Sequence, residues 1–460
     1  MLSRLRIQNF KGWADTGDIK LSPLTLFFGS NSSGKSSIGQ FLMMLKQTIE
    51  CADRGSVFSL GTGADHSHVQ LGSYRDIIFG HDLERSIDFS YAWHLRDALE
   101  FKDPHHKKVY RVDDIAFESS VKIQPKSGMP FVSRLAYQLK RDGGESVDIR
   151  MEKANKGYEL HSERYGIVRN PGRVWPIPSA LRFYGFPDEA SAYYQNTQFV
   201  QDLNLCQENL FRSLYYLGPL RTKPNRIYSW PGNTPDGVGD GGENTIPAIL
   251  AARNRAISLG LKKRGKSIQT LIAESLKRMG LIEEFAVDDL SKHGREYEVK
   301  VRTRGSREFV NLPDVGFGVS QVLPVLTACF CAQPGSILIM EQPEIHLHPS
   351  AQAVLADVMI DVLRSRENGE NRDIQLLIET HSEHFLRRLQ RRMAEGVVTP
   401  DDASVYFVKT DCYPVKLESL ELDLFGNASN WPTDFFGDTL GDLLEQAKVS
   451  AERRAKMEAS

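Results

Sequence analysis

Polar and apolar residues alternate through "RLRIQNF" (Arg4 to Phe10), the period of a strand with one face in solvent. A nearly unbroken apolar run, "LTLFF" from Leu24 to Phe28, then suits a strand covered on both faces. Beyond the small and polar stretch "GSNSSGKSS", Ile38, Phe41, Leu42, Leu45 and Ile49 recur at helical spacing. Far along the chain the same texture returns. "PDVGFGVSQVLPVL" (Pro313 to Leu326) reads as a glycine-rich turn opening an apolar helix. "ILIME" and "IQLLIE", ending at Glu341 and Glu379, read as two more buried strands, and "SVYFVKTD" (Ser404 to Asp411) as another. Strands alternating with helices in this way predict an α/β fold with a mixed sheet and flanking helices.

The stretch between the first buried strand and its helix carries chemistry. Gly29, Gly34, Lys35 and Ser36 satisfy G-x-x-x-x-G-K-[ST] in the strand, loop and helix order that motif requires. Glycines let the loop wrap a phosphate with its backbone N–H groups pointing inward, and the helix presents its positive N-terminal end to the same anion. Candidate nucleotide contacts are therefore Gly29, Asn31, Ser33, Gly34, Lys35, Ser36 and Ser37. Lys35 is placed to neutralise the β- and γ-phosphates of ATP, and the Ser36 hydroxyl to ligate Mg²⁺.

The strand "ILIMEQPEIHLHP" (Ile337 to Pro349) raises a question of turnover. Glu341 is followed by Gln342, an amide that orients water by hydrogen bonding but cannot take its proton. Glu344 is the nearest carboxylate beyond Pro343. The third element, "IQLLIETHSEHFL", runs from an apolar strand into Thr380, His381 and Ser382.

These elements, in this order, resemble the ABC-type ATPase heads of the SMC/RecF and OLD (overcoming lysogenisation defect) families. "IQNFKGW", "HLHP" and "THSEHFL" carry the likeness, over about residues 1–80 and 310–395. In detail "LGSYRDIIFG", "YLGPLR", "EQPEIHLHP" and "NWPTDFFGD" are similar to a subgroup of stand-alone AAA-type ATPases with a C-terminal domain of unknown function, many of them in prokaryotic defence loci. The resemblance implies that Gly316, Gly318, Ser320 and Gln321 of "GFGVSQ" form a divergent signature, capping the γ-phosphate of a second head. It implies that His381 is the switch histidine. Aligned on "HLHP", Glu341 takes the metal-binding position beside Ser36 and Gln342 the catalytic one, with Glu344 as an alternative base. Another register makes Glu341 the base and leaves Met340, a poor ligand for a hard cation, at the metal position. The expected cofactors are ATP and Mg²⁺, and the expected turnover is slow.

The two halves of this site are far apart, so the reading divides the chain into a head at 1–84 and 310–395, an inserted α+β lobe at 85–309 and a small cap at 396–460. The insertion lacks heptads, which excludes a long coiled coil, and a flexible loop is expected near Pro231 to Glu243. Trp431, Phe435 and Phe436 are read as anchors of the cap. About 65 residues follow residue 395, too few for the Toprim nuclease domain of OLD proteins, so any cutting would fall to a separate nuclease or toxin partner.

Composition changes this picture little. The chain has 460 residues, 41% of them hydrophobic, enough for one large core or two moderate ones. Its formal charge of −2 means that any nucleic-acid surface must be local. Two basic runs, Arg253 to Arg278 and Arg387 to Arg392, are the places for it, with solvated helix faces as the plainer reading. Five cysteines without CxxC spacing argue against a disulfide framework or structural zinc, and His346, His348, His381 and His384 lack the thiols or carboxylates of a zinc site. No apolar run spans a membrane, and a cytoplasmic place is the default expectation. Three functions follow: an ATPase that gates an effector in anti-phage defence, a RecF-like ATP-gated DNA clamp, or an ATP-binding scaffold without turnover.

Overall fold

The computed structural model describes the chain except residues 62–66, 105–106, 125–126, 142–143, 145, 173–174, 291–294, 432–435, 437–438 and 459–460. Its centre is a six-stranded sheet in the order Leu214–Leu217, Ile337–Glu341, Gln375–Glu379, Leu24–Gly29, Ala403–Lys409 and Lys416–Ser419. All its neighbours run parallel except the last pair. Both faces are covered, which explains the unbroken apolar texture. Leu24, Leu26 and Phe28 face a core shared with the helices Phe317–Cys331, Pro349–Leu363 and Glu383–Ala394. Phe27, Ile339 and Leu377 face the opposite core with Phe41 and Leu42 of the phosphate-loop helix Lys35–Glu50.

That second core is closed from outside by an antiparallel sheet. Strands Ile87–Asp103, Lys108–Ile123, Pro130–Lys140, Val147–Lys153 and Tyr158–His161 pair in sequence order, and Leu2–Phe10 joins them along Ile87–Asp103. Aromatic rings fill the space beneath, with Phe41 edge-on to Phe10 and Phe89 at 5.1 Å each. The architecture is the expected α/β head: a mixed central sheet, helices on one face, and a helix and antiparallel sheet on the other.

Strand pairing redraws the expected division of the chain. Leu214–Leu217, read as part of the inserted lobe, is an edge strand of the central sheet beside Ile337–Glu341. Ala403–Lys409, read as part of the cap, lies directly against the phosphate-loop strand and is almost wholly buried. Neither is set apart because each hydrogen-bonds into the central sheet, the first at its edge and the second between two other strands. The loop near Pro231 to Glu243, expected to be flexible, is held by main-chain bonds. Gly218 and Thr222 donate to the carbonyls of Asp240 and Gly241 at 2.8 Å each, and Trp230 caps it through Asn233 O at 2.6 Å.

In the tail, Trp431 and Phe436 do anchor: Phe436 meets Phe28 edge-on at 5.8 Å, and Trp431 sits 6.0 Å from Phe436 and beneath Arg387. Phe435 lies outside the described residues. Among the described residues no helix is long and apolar enough to cross a membrane.

Candidate nucleotide site

The phosphate loop leaves its strand at Gly29, where an added Cβ would meet Ser33 Oγ at 2.6 Å. It enters the helix at Gly34, whose φ of 97° only glycine adopts freely. Trp13, fully buried, donates its indole N–H to Gly34 O at 3.1 Å and pins this turn. The helix start has no side-chain cap and no acid in its first turn. Its N–H groups are therefore available to an anion. Asn31 is exposed, Ser33 is buried, and Ser36 and Ser37 are half-buried.

Lys35 is folded onto its own loop. Its Nζ donates to Gly29 O at 2.9 Å and Ser30 O at 2.7 Å, and lies 3.8 Å from Glu379. Burial lowers its pKa, while Glu379 and Glu341 oppose that shift. The Ser36 hydroxyl donates to Glu379 Oε2 at 2.7 Å. Glu379 ends the strand between the phosphate-loop strand and Ile337–Glu341, and register sets it directly beside Glu341. Lys35, Ser36, Glu341 and Glu379 line one cavity at the tips of these three strands.

The Glu341 carboxyl is pushed up to about 7, first by burial and then by the neighbouring Glu379 charge. It accepts a 2.8 Å bond from the hydroxyl of Tyr216, on the edge strand. Both carboxylates and the Ser36 hydroxyl are hard oxygen donors. They fit Mg²⁺, which takes one or two carboxylates and completes its shell with phosphate oxygens and water. Among the described residues no group of three or more His, Cys, Asp and Glu side chains gathers to hold a metal, and this site offers two carboxylates and a hydroxyl.

Gln342 adopts a left-handed φ of 45°, unusual for a non-glycine residue. Arg221 holds it there, donating to Glu341 O at 3.0 Å and Gln342 O at 3.2 Å, while Gln342 N–H donates to Glu379 O at 2.8 Å. Burial lowers the Arg221 pKa to about 10, against the raising influence of Glu344 and Glu341. Glu344 is buried and serves as a brace. Its Oε1 accepts from Thr380 Oγ1 at 2.7 Å and from the His381 N–H at 2.8 Å, and burial raises its pKa. Its Oε2 has no partner.

His381 Nε2 is also buried without a hydrogen-bond partner. Burial and the Lys35 charge lower the imidazole pKa, so the ring is neutral near pH 7 and able to bond a phosphate oxygen.

The signature turn is built differently from its expectation. Gly316 and Phe317 are exposed, whereas Ser320 and Gln321 are each only 7% exposed, and Ser320 Oγ donates back to Phe317 O at 2.9 Å. A helical turn rotates Ser320 under the surface and leaves Gly316 and Phe317 outward at an uncapped helix start. Gly318 packs near His346 O.

The basic runs are mostly neutralised. Arg255 pairs with Glu367, Lys266 with Glu274, Lys277 with Glu283, Arg278 with Asp361, and Arg253 lies over Trp230. Lys262, Lys263 and Arg264 are exposed. In the second run Arg387 pairs with Glu383, Arg388 and Arg392 with Asp357, and Arg391 with Glu395.

Sequence reasoning missed Glu379, Tyr216 and Arg221 as site residues. The last two lie in "YLGPLR", which resemblance marked without giving it a role.

Comparison with known proteins adds three family matches. Residues 210–387 match a model described as an AAA domain, putative AbiEii toxin, type IV TA system. Residues 1–126 match an AAA ATPase domain. Residues 398–446 match a protein of unknown function, DUF3696. No curated protein matches.

Similar solved structures include an Smc head bound to the C-terminal winged-helix domain of ScpA, 11% identical over 92% of this chain and 98% of that one, with a TM-score of 0.43. A second is an Smc head with an extended coiled coil bound to the C-terminal domain of ScpA, derived from Pyrococcus furiosus, 9% identical over 92% and 96%, at 0.43. A third is the SMC head domain from Thermotoga maritima, 11% identical over 91% and 99%, at 0.38. The two ATPase matches fall on the stretches whose strands meet at Lys35 and Glu341, so both halves of this site are similar to AAA-type ATPase domains.

Proposed function

We propose that this ATPase head binds ATP with Mg²⁺, hydrolyses it slowly, and uses the closed state of a head-to-head pair to hold or release an effector in prokaryotic defence. The observation that carries slow turnover is the state of the three candidate bases. Gln342 is an amide, Glu344 is bonded to Thr380 and the His381 backbone, and Glu341 is engaged by Tyr216. A water beside the γ-phosphate would be oriented by Gln342, which cannot take its proton. Lys35 would exchange its loop carbonyls for phosphate oxygens, and His381 Nε2 would gain its missing partner there. Bound Mg²⁺, held by Ser36 and Glu341, would supply charge neutralisation at those oxygens.

The defence role rests on the resemblance of "EQPEIHLHP" and "NWPTDFFGD" and on a family model whose description names a putative toxin. The effector would be a separate nuclease or toxin. Hydrolysis by wild type, Gln342→Glu and Glu344→Gln, in steady state and single turnover, tests the reading. A general base is worth about 10²-fold or more, so Gln342→Glu should accelerate a slow wild type. A fast wild type that Gln342→Glu slows and Glu344→Gln leaves alone would overturn it.

A further inference from the structure

The two side chains that carry the phosphate-loop chemistry, Lys35 and Ser36, turn toward one carboxylate that no motif singles out. Ser36 Oγ gives Glu379 Oε2 its 2.7 Å bond, and Lys35 Nζ stands 3.8 Å from the other carboxylate oxygen. The Glu379 side chain is 10% exposed. Its backbone is fixed from both sides, since Gln342 N–H donates to its carbonyl and Thr380 N–H donates to Phe27 O at 3.1 Å. Register places Glu341 beside it.

We infer that Glu379 is a second carboxylate of the magnesium site and makes nucleotide binding conditional on the metal. This rests on the nucleotide-site reading above. The carboxylate occupies the hydroxyl that a metal needs and sits against the ammonium that the phosphates need, so it competes with a nucleotide arriving without metal. Its charge also repels a polyphosphate across a cavity already holding Glu341. A divalent cation reverses both effects. It takes Ser36 Oγ, Glu341 and Glu379 as oxygen donors, and the phosphate oxygens then complete its shell. One side chain therefore opposes the free nucleotide and favours the metal complex.

The coupling is measurable without turnover, using ADP as the probe. Calorimetry of wild type, Glu379→Gln and Glu379→Asp with Mg²⁺ and with EDTA gives the ratio of the two dissociation constants. Wild type should bind ADP far more weakly in EDTA. Glu379→Gln keeps the shape and loses the charge, so it should bind ADP more tightly in EDTA and more weakly with Mg²⁺, reducing the ratio about tenfold. Glu379→Asp keeps the charge and should retain most of the ratio. Mn²⁺ affinity of the ADP complex, read by electron paramagnetic resonance, should fall in Glu379→Gln. An unchanged ratio in a folded Glu379→Gln overturns the inference. If that variant does not fold, wild type decides it, because equal ADP affinity with and without Mg²⁺ also overturns it. Wild type that binds no nucleotide in either buffer would instead sink the nucleotide-site reading itself.

Discussion

At the phosphate loop the Lys35 side chain is 3% exposed and surrounded by carbonyls and carboxylate. At the glycine turn of Gly316, Phe317 stands 66% exposed above a helix start that no side chain caps. Both are helix N-termini opened by a glycine, and both lack an acid in the first turn. Other helices, Thr245–Ala251 among them, also start without a side-chain cap, but two are finished locally. Ser382 caps Phe385 N at 3.0 Å, and Ser267 caps Thr270 N at 3.2 Å. The first N–H groups of an uncapped start are left to water or to an anion. One of the two glycine-opened ends is enclosed in this chain and the other faces outward, and in the proposed head-to-head pair the outward one is the end a second copy would meet.

The sharpest way to break that comparison is on the enclosed side. Lys35→Ala removes the one ammonium in the loop, and nucleotide affinity should fall at least about a hundredfold with the fold unchanged. Calorimetry with equal ATP affinity in wild type and variant would end the phosphate-loop assignment.

Arg221 tests how the enclosed side is held. It is the only tie in the structure from "YLGPLR" to the carbonyls of both Glu341 and Gln342 among the described residues. Arg221→Met keeps the packing and leaves those carbonyls without their charged donor, and should cost about 2 kcal/mol in urea unfolding. An unchanged midpoint would mean that the left-handed Gln342 needs no support.

The open side is tested at Phe317. Ser320 is a poor position to disturb, because a large residue there would strike the head's own core. Phe317→Arg lies on the surface and should leave the fold and the ATP affinity of one head intact. ATP-dependent association should weaken about tenfold, as measured by light scattering across a concentration series. A wild type that stays monomeric at saturating ATP and Mg²⁺ would remove the head-to-head model altogether.

How far these features could be read in advance follows the range of the interactions. The strand ending at Gly29, the helix from Lys35 and the strands ending at Glu341 and Glu379 are local patterns, and the structure forms them where periodicity places them. Glu379 as a site residue was not readable, because it looks like the polar end of a buried strand. Only its parallel register beside Glu341 and the approach of Ser36 give it a role. Tyr216 and Arg221 depend in the same way on a four-residue edge strand pairing far along the chain. The basic runs show the converse. Their charges are plain in sequence, but the carboxylates that neutralise them, such as Asp357 for Arg388 and Arg392, come from another helix.

The smallest expected effect concerns the enclosed side's outer edge, where His68 joins two loops. Its Nδ1 lies 2.9 Å from Asp240 and its Nε2 3.0 Å from Glu50, which also pairs with Lys46 of the phosphate-loop helix. Burial favours the neutral ring, but the two carboxylates outweigh it and raise the pKa to about 9. A histidine whose pKa is higher folded than unfolded stabilises fully below the unfolded value near 6.5, and that stability is lost as pH rises through about 9. Asp240 and Glu50 are 38% and 42% exposed, so solvent screens much of the attraction. The contribution is on the order of 1 kcal/mol. Wild type should therefore lose about that much between pH 7 and 9.5 relative to His68→Gln, whose midpoint carries no such titration. Parallel pH profiles for the two proteins would show that this bridge adds nothing to the stability of the enclosed half.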